Sequence, residues 1–423
     1  MAKNRTKKAL RKQGQDGSQG YLRPIRLGEI LIDTQGELWD LYHRAGHEAL
    51  TKMLKEDLEA LCGAKHAQWP GREHYRHSQE MSSLVLGGRR IIMRKTRVRS
   101  KDDREVALPT WEQYSREDPL NKRAVEQMLV GVSTRKYDRS LEPPPEEVEC
   151  RGTSRSSVSR RFVARTQSYV TEYLSRPLND LDVPVVMIDG KALGDHLMIT
   201  VIGIDSQGNK HILAVREGST ESQGVCLELL RDLIERGFPV ERARLFVIDG
   251  GKGIRSAIRE VFGLWALIHR CHVHKTRNVL DHLPQRKRAL IGGLMRRAWQ
   301  ASTVDEARRQ LNALLARLDA DHPGAASSLR EGLDETLTLI RLMVDGALYK
   351  TLRSTNVIEN LQGFIGDITR RVKRWRNGTM ALRWTVTALM EAEKRFRRIR
   401  GYKDMAALDA SLRNQPDLMR QVA

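Results

Sequence analysis

VPVVMIDG, residues Val183 to Gly190, is a short apolar run that stops on an acid and a glycine. A run of that length, closed by a turn residue, is the pattern of a strand buried on both faces. It delivers one carboxylate, Asp189, to the strand's end. RLFVIDGG, Arg244 to Gly251, repeats the design and ends on Asp249. The pair suggests two carboxylates brought together at one edge of a sheet. Asp-Gly is also a common turn dipeptide, so one occurrence carries little. Two at the ends of buried-looking strands carry more.

Around these stretches the pattern predicts strands at 183–189, 197–204 and 210–216, a helix at 221–236, a strand at 243–248, a helix at 252–262, a strand at 264–270 and a helix at 274–282. Three closely spaced strands suggest an antiparallel meander, and the later helix–strand alternation suggests parallel strands. The fold class expected is α/β: an RNase H-like domain with a mixed five-stranded sheet. Residues 285–350 are helical by pattern (Leu294, Ala298, Leu311, Leu314, Leu315, Leu318, then Leu333, Leu337, Ile340) and read as an all-α insertion.

Beyond the insertion, Ser354 to Arg376 carries one apolar stripe of Val357, Leu361, Phe364, Ile365, Ile368 and Val372. Glu359 lies opposite that stripe, with Gly363, Gly366 and Arg370 on its side. Two glycines beside a glutamate leave room for another backbone. Asn356 as N-cap with Glu359 three residues on also fits a capping box. The basic run RRVKRWR, Arg370 to Arg376, follows, and then a basic amphipathic helix from Thr379 to Arg400.

Asp189, Asp249 and Glu359, from three separate segments, could hold two divalent ions about 3.5–4 Å apart. Mg²⁺ takes hard oxygen ligands and leaves positions for waters and phosphate oxygens. Cys271-His272-Val273-His274 has the Cys-x-x-His spacing of half a zinc site, but four ligands are needed and no second pair is evident. Cys271 and His274 are therefore expected to support the carboxylates.

The chain has 423 residues, a net charge of +20 and a pI near 10.0. That excess points to a polyanionic partner, most simply nucleic acid; a merely basic soluble protein is the bland alternative. With 40% hydrophobic and 30% charged residues, global disorder is excluded. The four cysteines, Cys62, Cys150, Cys226 and Cys271, are scattered and fit a reducing interior. No apolar run reaches the roughly 18 residues of a membrane span, and no signal peptide is evident. A cytoplasmic protein is expected.

Upstream, residues 1–20 read as a flexible basic arm and 21–115 as a helical region with short basic strands. A helix over 36–61 is broken at Trp69-Pro70-Gly71. A short strand pair over Leu84–Arg99 carries Arg89, Arg90, Arg94, Lys95, Arg97 and Arg99, a face that could follow phosphates or simply be solvated. Residues 116–180 read as a helix-turn-helix region. A helix from Leu120 to Leu129 meets Gly131, and Ser133 or Thr134 could cap the next helix. After Pro143–Pro145 comes RGTSRSSVSRRF, where Thr153 or Ser154 is an N-cap and Val158 and Phe162 lie one turn apart. Its other faces present Ser154, Arg155, Ser156, Ser157, Arg160 and Arg161, residue types suited to groove and phosphate contacts. An ordinary amphipathic helix is the alternative. Arg370, Arg371, Lys373, Arg374 and Arg376 form a second candidate DNA-binding set. The core then comprises 181–284 and 351–376, with a basic helical region at 377–423.

The segments MIDGKALGDHLMITVIGID, VIDGGKGIRSAI, HRCHVHKTRNVL, LRSTNVIENLQGFI and VKRWRNGTMALRW, with GVSTRKY and GTSRSSVSRRF upstream, resemble Mutator-type DDE transposases of bacterial insertion sequences. The resemblance spans residues 115 to 400. It implies Asp189, Asp249 and Glu359 as catalytic metal ligands, with two Mg²⁺ or Mn²⁺ ions. It also implies cleavage at element ends and strand transfer by a 3′-hydroxyl. The implied partners are double-stranded terminal inverted repeats and target DNA, and the working form is a homo-oligomer, expected as a dimer, in the bacterial nucleoid. Trp299 of the insertion is a candidate to stack on a displaced base, with a core tryptophan as its alternative. A catalytically silent DNA-binding descendant, or an RNase H-like nuclease without strand transfer, are the competing functions.

Overall fold

The structure, a computed structural model, describes residues 27–414 apart from 67–70, 87–88, 117–120, 130, 141–149, 152–153, 219 and 221. The expected arm at 1–20, the break at Trp69-Pro70, the Pro143–Pro145 loop and the capping candidate Thr153 lie outside the described residues. The chain divides into two compact units, Met1–Asn121 with Asp138–Thr153 and Lys122–Tyr137 with Ser154–Ala423.

The first unit holds α1 (Leu27–Cys62), β1 (His74–Leu86), β2 (Arg89–Ser100), β3 (Glu105–Val106), α2 (Pro109–Arg116) and β4 (Cys150–Arg151). β1 and β2 form an antiparallel hairpin, and β3 and β4 both pair with β2. Leu50 and Leu54 of α1 close over Leu84, Ile91, Met93, Val98, Leu108 and Trp111. The strands expected to be short run to 13 and 12 residues. Only one end of HYRHSQEMSSLVL is apolar, so its polar half shows no periodic strand signal. Much of the basic face is neutralised. Lys95 pairs with Glu80 and Glu105, Arg97 with Glu105 at 2.7 Å, and Arg99 with Asp103 at 2.6 Å.

The second unit contains α3 (Asn121–Leu129), α4 (Arg155–Leu174), β5 (Val185–Leu193), β6 (His196–Ile204), β7 (Lys210–Gly218), α5 (Gln223–Glu235), β8 (Arg244–Ile248), α6 (Lys252–Phe262), β9 (Ala266–Arg270) and α7 (His272–Asp281). There follow α8 (Gln285–Ala298), α9 (Val304–Asp321), α10 (Pro323–Arg330), α11 (Leu333–Thr336), α12 (Thr338–Arg341), α13 (Gly346–Leu352), α14 (Asn356–Thr369), α15 (Gly378–Glu393) and α16 (Met405–Arg413).

Its five strands lie in the order β7-β6-β5-β8-β9. β5–β6 and β6–β7 are antiparallel, while β5–β8 and β8–β9 are parallel. This is the meander-then-parallel mixed sheet that the pattern predicts. Both faces are covered, which is why the central strands read as unbroken apolar runs. Val185, Met187, Leu245 and Val247 pack under α4, α14 and α15, and Val186, Ile188, Phe246 and Ile248 pack under α5 and α6.

Several elements depart from expectation. β5 does not stop at Asp189. It continues to Leu193 and turns through Gly194, at φ +63°, into β6. What stops near Asp189 is the parallel partner: the last β5–β8 pair is Ile188–Ile248. No α-helix follows Ser133; the described residues there form turns and a single 3-10 turn, Asp138–Ser140. α4 buries Val158, Phe162, Thr166, Val170 and Tyr173, a stripe about three turns longer than the Val158–Phe162 pair suggests, and lies along α15. α15 is largely core, with Ala381, Thr385, Val386, Ala388, Leu389 and Ala392 buried, rather than an outer basic helix. The insertion has its own core around Met295, Trp299, Leu311, Leu314 and Leu329, while Leu339 and Leu342 already belong to the sheet's core. Among the described residues no helix is long and apolar enough to cross a membrane.

Candidate active site

Asp189, within β5, and Asp249, just past β8, stand at the same level on neighbouring parallel strands, each one residue past the Ile188–Ile248 pair. Side chains alternate along a strand. Asp189 therefore follows Val185 and Met187 onto the face under α14, and Asp249 follows Leu245 and Val247 onto that face too. Asp189 is 9% exposed. Each aspartate is tied to its own turn: Gly190 N–H donates to Asp189 Oδ1 at 3.0 Å and Gly251 N–H to Asp249 Oδ1 at 2.8 Å.

Glu359 is brought to this edge by a chain of contacts from β9. Cys271 N–H donates to Ile248 O at 2.8 Å, carrying the ladder one residue past β9. His272 N–H donates to Arg353 O at 2.9 Å, which sets the segment before α14 against the start of α7. Thr355, fully buried, is the hub. Its hydroxyl donates to Glu359 Oε1 at 2.6 Å and lies 3.4 Å from His274 Nδ1 and 3.5 Å from Cys271 Sγ. His274 Nε2 stands 3.9 Å from Glu359 Oε1. The Cys271 hydrogen bond raises the His274 pKa, burial opposes it, and the charges of Cys271, Asp249 and Glu359 add to the rise. His274 thus senses an acid from the sheet and the acid from α14. Further along the same faces, Lys191 Nζ comes within 3.2 Å of where a Cβ on Gly366 would be. Lys191 lies two residues after Asp189 and Gly366 seven after Glu359, so α14 crosses β5 on the side that bears both acids.

The capping-box expectation for Asn356 does not hold. Thr355 is the N-cap, and Glu359 reaches back to its hydroxyl rather than to a cap N–H. Cys271 is itself the N-cap of α7, its sulfur accepting from His274 N–H at 3.5 Å. Burial raises this thiol's pKa, but hydrogen bonds from His274 and Thr355 outweigh it and leave it below the ordinary value.

The donor set suits a hard divalent cation: two carboxylates on neighbouring parallel strands and a third on α14, with no thiolate pair. Among the described residues, however, no group of three Asp, Glu, His or Cys side chains is gathered to hold an ion. Each carboxylate takes its own local donor, Gly190, Gly251 or Thr355.

Of the candidate DNA-binding residues on α4, Arg155, Ser156 and Arg160 are exposed, and Arg161 is half-buried. Ser154 is the N-cap and accepts from Ser157 N–H at 3.2 Å, so its hydroxyl serves the helix. In the second set, Arg370, Lys373, Arg374 and Arg376 are exposed. Arg371 is exposed as well, and its guanidinium lies against Gly131.

Trp299 is a core residue, 2% exposed. Its ring stacks on His272 at 4.0 Å and 6°, and its Nε1–H donates to Thr336 Oγ1 at 3.1 Å. A face already stacked in the core is not offered to a base. Burial holds the His272 pKa at about 4, below the ordinary 6.5. The unfolded chain therefore binds a proton that the folded one refuses between those values. Stability should be full above pH 6.5 and fall as pH drops toward 4. In urea melts across that window, His272→Phe should flatten the slope by up to one proton; an unchanged slope would show that His272 charges freely in the fold.

Sequence reasoning missed Thr355 and Lys191. Both had a signal: a threonine four residues before Glu359, and a lysine two residues after Asp189 on the same strand face.

A family profile described as "Transposase, Mutator family" matches residues 36–398. The chain is 28% identical over 402 residues to the transposase for insertion sequence element ISRM5 of Rhizobium meliloti (strain 1021), covering 92% of this chain and 96% of the relative. It is 30% identical over 200 residues to the transposase for insertion sequence element IST2 of Acidithiobacillus ferrooxidans, covering 47% and 66%. It is 27% identical over 304 residues to the transposase for insertion sequence element IS256 in transposon Tn4001 of Staphylococcus aureus, covering 68% and 74%. With the profile spanning most of its length, the chain belongs to the Mutator family of transposases.

Proposed function

We propose that this transposase cuts DNA at the ends of an insertion sequence and joins them to target DNA through an RNase H-like DDE site built from Asp189, Asp249 and Glu359. The observation that carries this is the hydrogen-bonded chain from Ile248 through Cys271, His274 and Thr355 to Glu359. It links the end of β8, beside Asp249, to the glutamate's helix across the insertion. The strand order β7-β6-β5-β8-β9, with its two parallel pairs, supports the RNase H-like assignment.

Asp189, Asp249 and Glu359 would hold two Mg²⁺ or Mn²⁺ ions. When bound, the ions supply charge neutralisation at the scissile phosphate and activation of the attacking water or 3′-hydroxyl. The residues themselves do the rest. Thr355 fixes the Glu359 carboxylate through its 2.6 Å hydrogen bond. His274, 3.9 Å from Glu359 Oε1, would donate to a phosphate oxygen. Gly190 and Gly251 N–H groups orient the two aspartates. The exposed Arg155, Ser156 and Arg160 of α4, with Arg370, Lys373, Arg374 and Arg376, would contact the duplex.

The test is an in vitro reaction with Mg²⁺, using duplexes that end in the element's terminal repeats and a plasmid target. Joined product bearing the donor's 3′ strand is expected. Nicked donor without joined product would favour a nuclease, and no Mg²⁺-dependent product would overturn the assignment.

A further inference from the structure

Between the helix of Glu359 and α15 the chain runs from Arg370 to Asn377 without regular structure. Two side chains of this linker are seated on glycines elsewhere in the same unit. A Cβ on Gly131, the turn after α3, would lie 1.1 Å from Arg371 Nη1. A Cβ on Gly194, the β5–β6 turn, would lie 2.8 Å from Trp375 Cδ1. Both glycines have positive φ, +101° and +63°, which few other residues adopt. Val372 and Trp375 also pack with Val125, Phe162 and Trp384.

The side chains between and beside these anchors, Arg370, Lys373, Arg374 and Arg376, are exposed. Among the described residues none of the four has an acidic partner, in contrast to Lys95, Arg97 and Arg99 on β2. Four unpaired cations on an irregular segment would repel one another and wander unless the backbone is held. Here it is held at two points four residues apart. One anchor is the turn that closes the β-hairpin bearing Asp189; the other follows α3.

We infer that the 370–377 linker is a pre-organised track for the phosphate backbone of duplex DNA beside the cutting site, with Gly131, Gly194, Arg371 and Trp375 as its positioning residues. The inference rests on the DNA-transposase reading above. An ordered row of cations loses less conformational entropy on binding than a floppy one. Arg371 and Trp375 therefore act through the four exposed cations and need not touch DNA.

Binding of a mixed-sequence duplex, measured by fluorescence anisotropy at several salt concentrations, tests it. For Lys373→Ala with Arg374→Ala, the slope of log K against log salt should shrink by about 1.8, two phosphates at about 0.9 each. Trp375→Ala should weaken binding several-fold with the slope little changed. Gly194→Asn keeps a residue tolerant of positive φ but crowds the indole, so it should weaken binding several-fold in the wild-type background and not further in the Trp375→Ala background. A wild-type slope in the Lys373/Arg374 variant, or the same loss from Gly194→Asn in both backgrounds, would overturn the inference while leaving the transposase reading intact. A wild-type protein that binds no duplex at low salt would overturn both.

Discussion

Asp249→Asn should lower Mg²⁺-dependent strand transfer by roughly a thousandfold or more, while the affinity for duplex DNA stays near wild type. A metal ion contributes several kcal/mol of charge stabilisation to phosphoryl transfer, and each step of about 1.36 kcal/mol is tenfold in rate. Asparagine keeps the size of the side chain and an oxygen that can still accept the Gly251 N–H bond of 2.8 Å. The turn after β8 should therefore survive. What is lost is one negative charge at the edge where β5 and β8 stop pairing. Parallel gel-shift and strand-transfer assays separate the two readouts. Strand transfer within tenfold of wild type would remove Asp249 from the metal site. A joint loss of binding and transfer would instead mark a folding defect.

Glu335→Ala should destabilise the second unit by about 3–5 kcal/mol, the usual cost of removing one partner from a buried charge cluster. Glu335 sits on α11, at the return from the insertion to the sheet, and its side chain is 8% exposed. It accepts from Arg255 Nε, lies 3.2 Å from Arg259 Nη2 and 3.4 Å from Arg270 Nε. Arg270 is the costly member. Its side chain is 4% exposed at the end of β9, and its guanidinium lies against Gly250, the residue after Asp249. Without Glu335 that cation keeps Glu331 at 3.7 Å as its remaining acidic partner. Urea denaturation of variant and wild type measures the effect, and Glu335→Gln, which keeps the hydrogen-bonding shape, should lose less. A change below about 1 kcal/mol, the range of exposed ion pairs, would mean that water reaches the cluster. The position of Arg270 adds a second expectation within the same variant: the Asp249 turn loosens, so catalysis declines before the unit unfolds.

The central sheet was legible because burial on both faces leaves no polar punctuation inside VPVVMIDG or RLFVIDGG. The two-residue hairpin after β5 was not, since Gly190 and Lys191 look like the start of a loop until β6 is seen to pair through Leu193–His196. α4 was legible as a helix from its Ser154 cap. Its burial along α15 was hidden because Thr166 and Tyr173 in its stripe are not purely apolar. By residue type Asn356 is the better cap; Thr355 takes the place in contact with Cys271 and His274, more than 80 residues away in the chain. The Arg270–Glu335 pair, 65 residues apart, has no local signature either. Long-range polar contacts of this kind follow from how the insertion folds back, which no periodicity records.

If Asp189, Asp249 and Glu359 hold the ions that act on DNA, they must bind them together. Crystals of the protein soaked in Mn²⁺, measured at the manganese absorption edge, test it most directly. Anomalous peaks should appear between Asp189 and Asp249 and reach Glu359. Manganese bound elsewhere, or the three carboxylates still apart at saturating Mn²⁺, would contradict it.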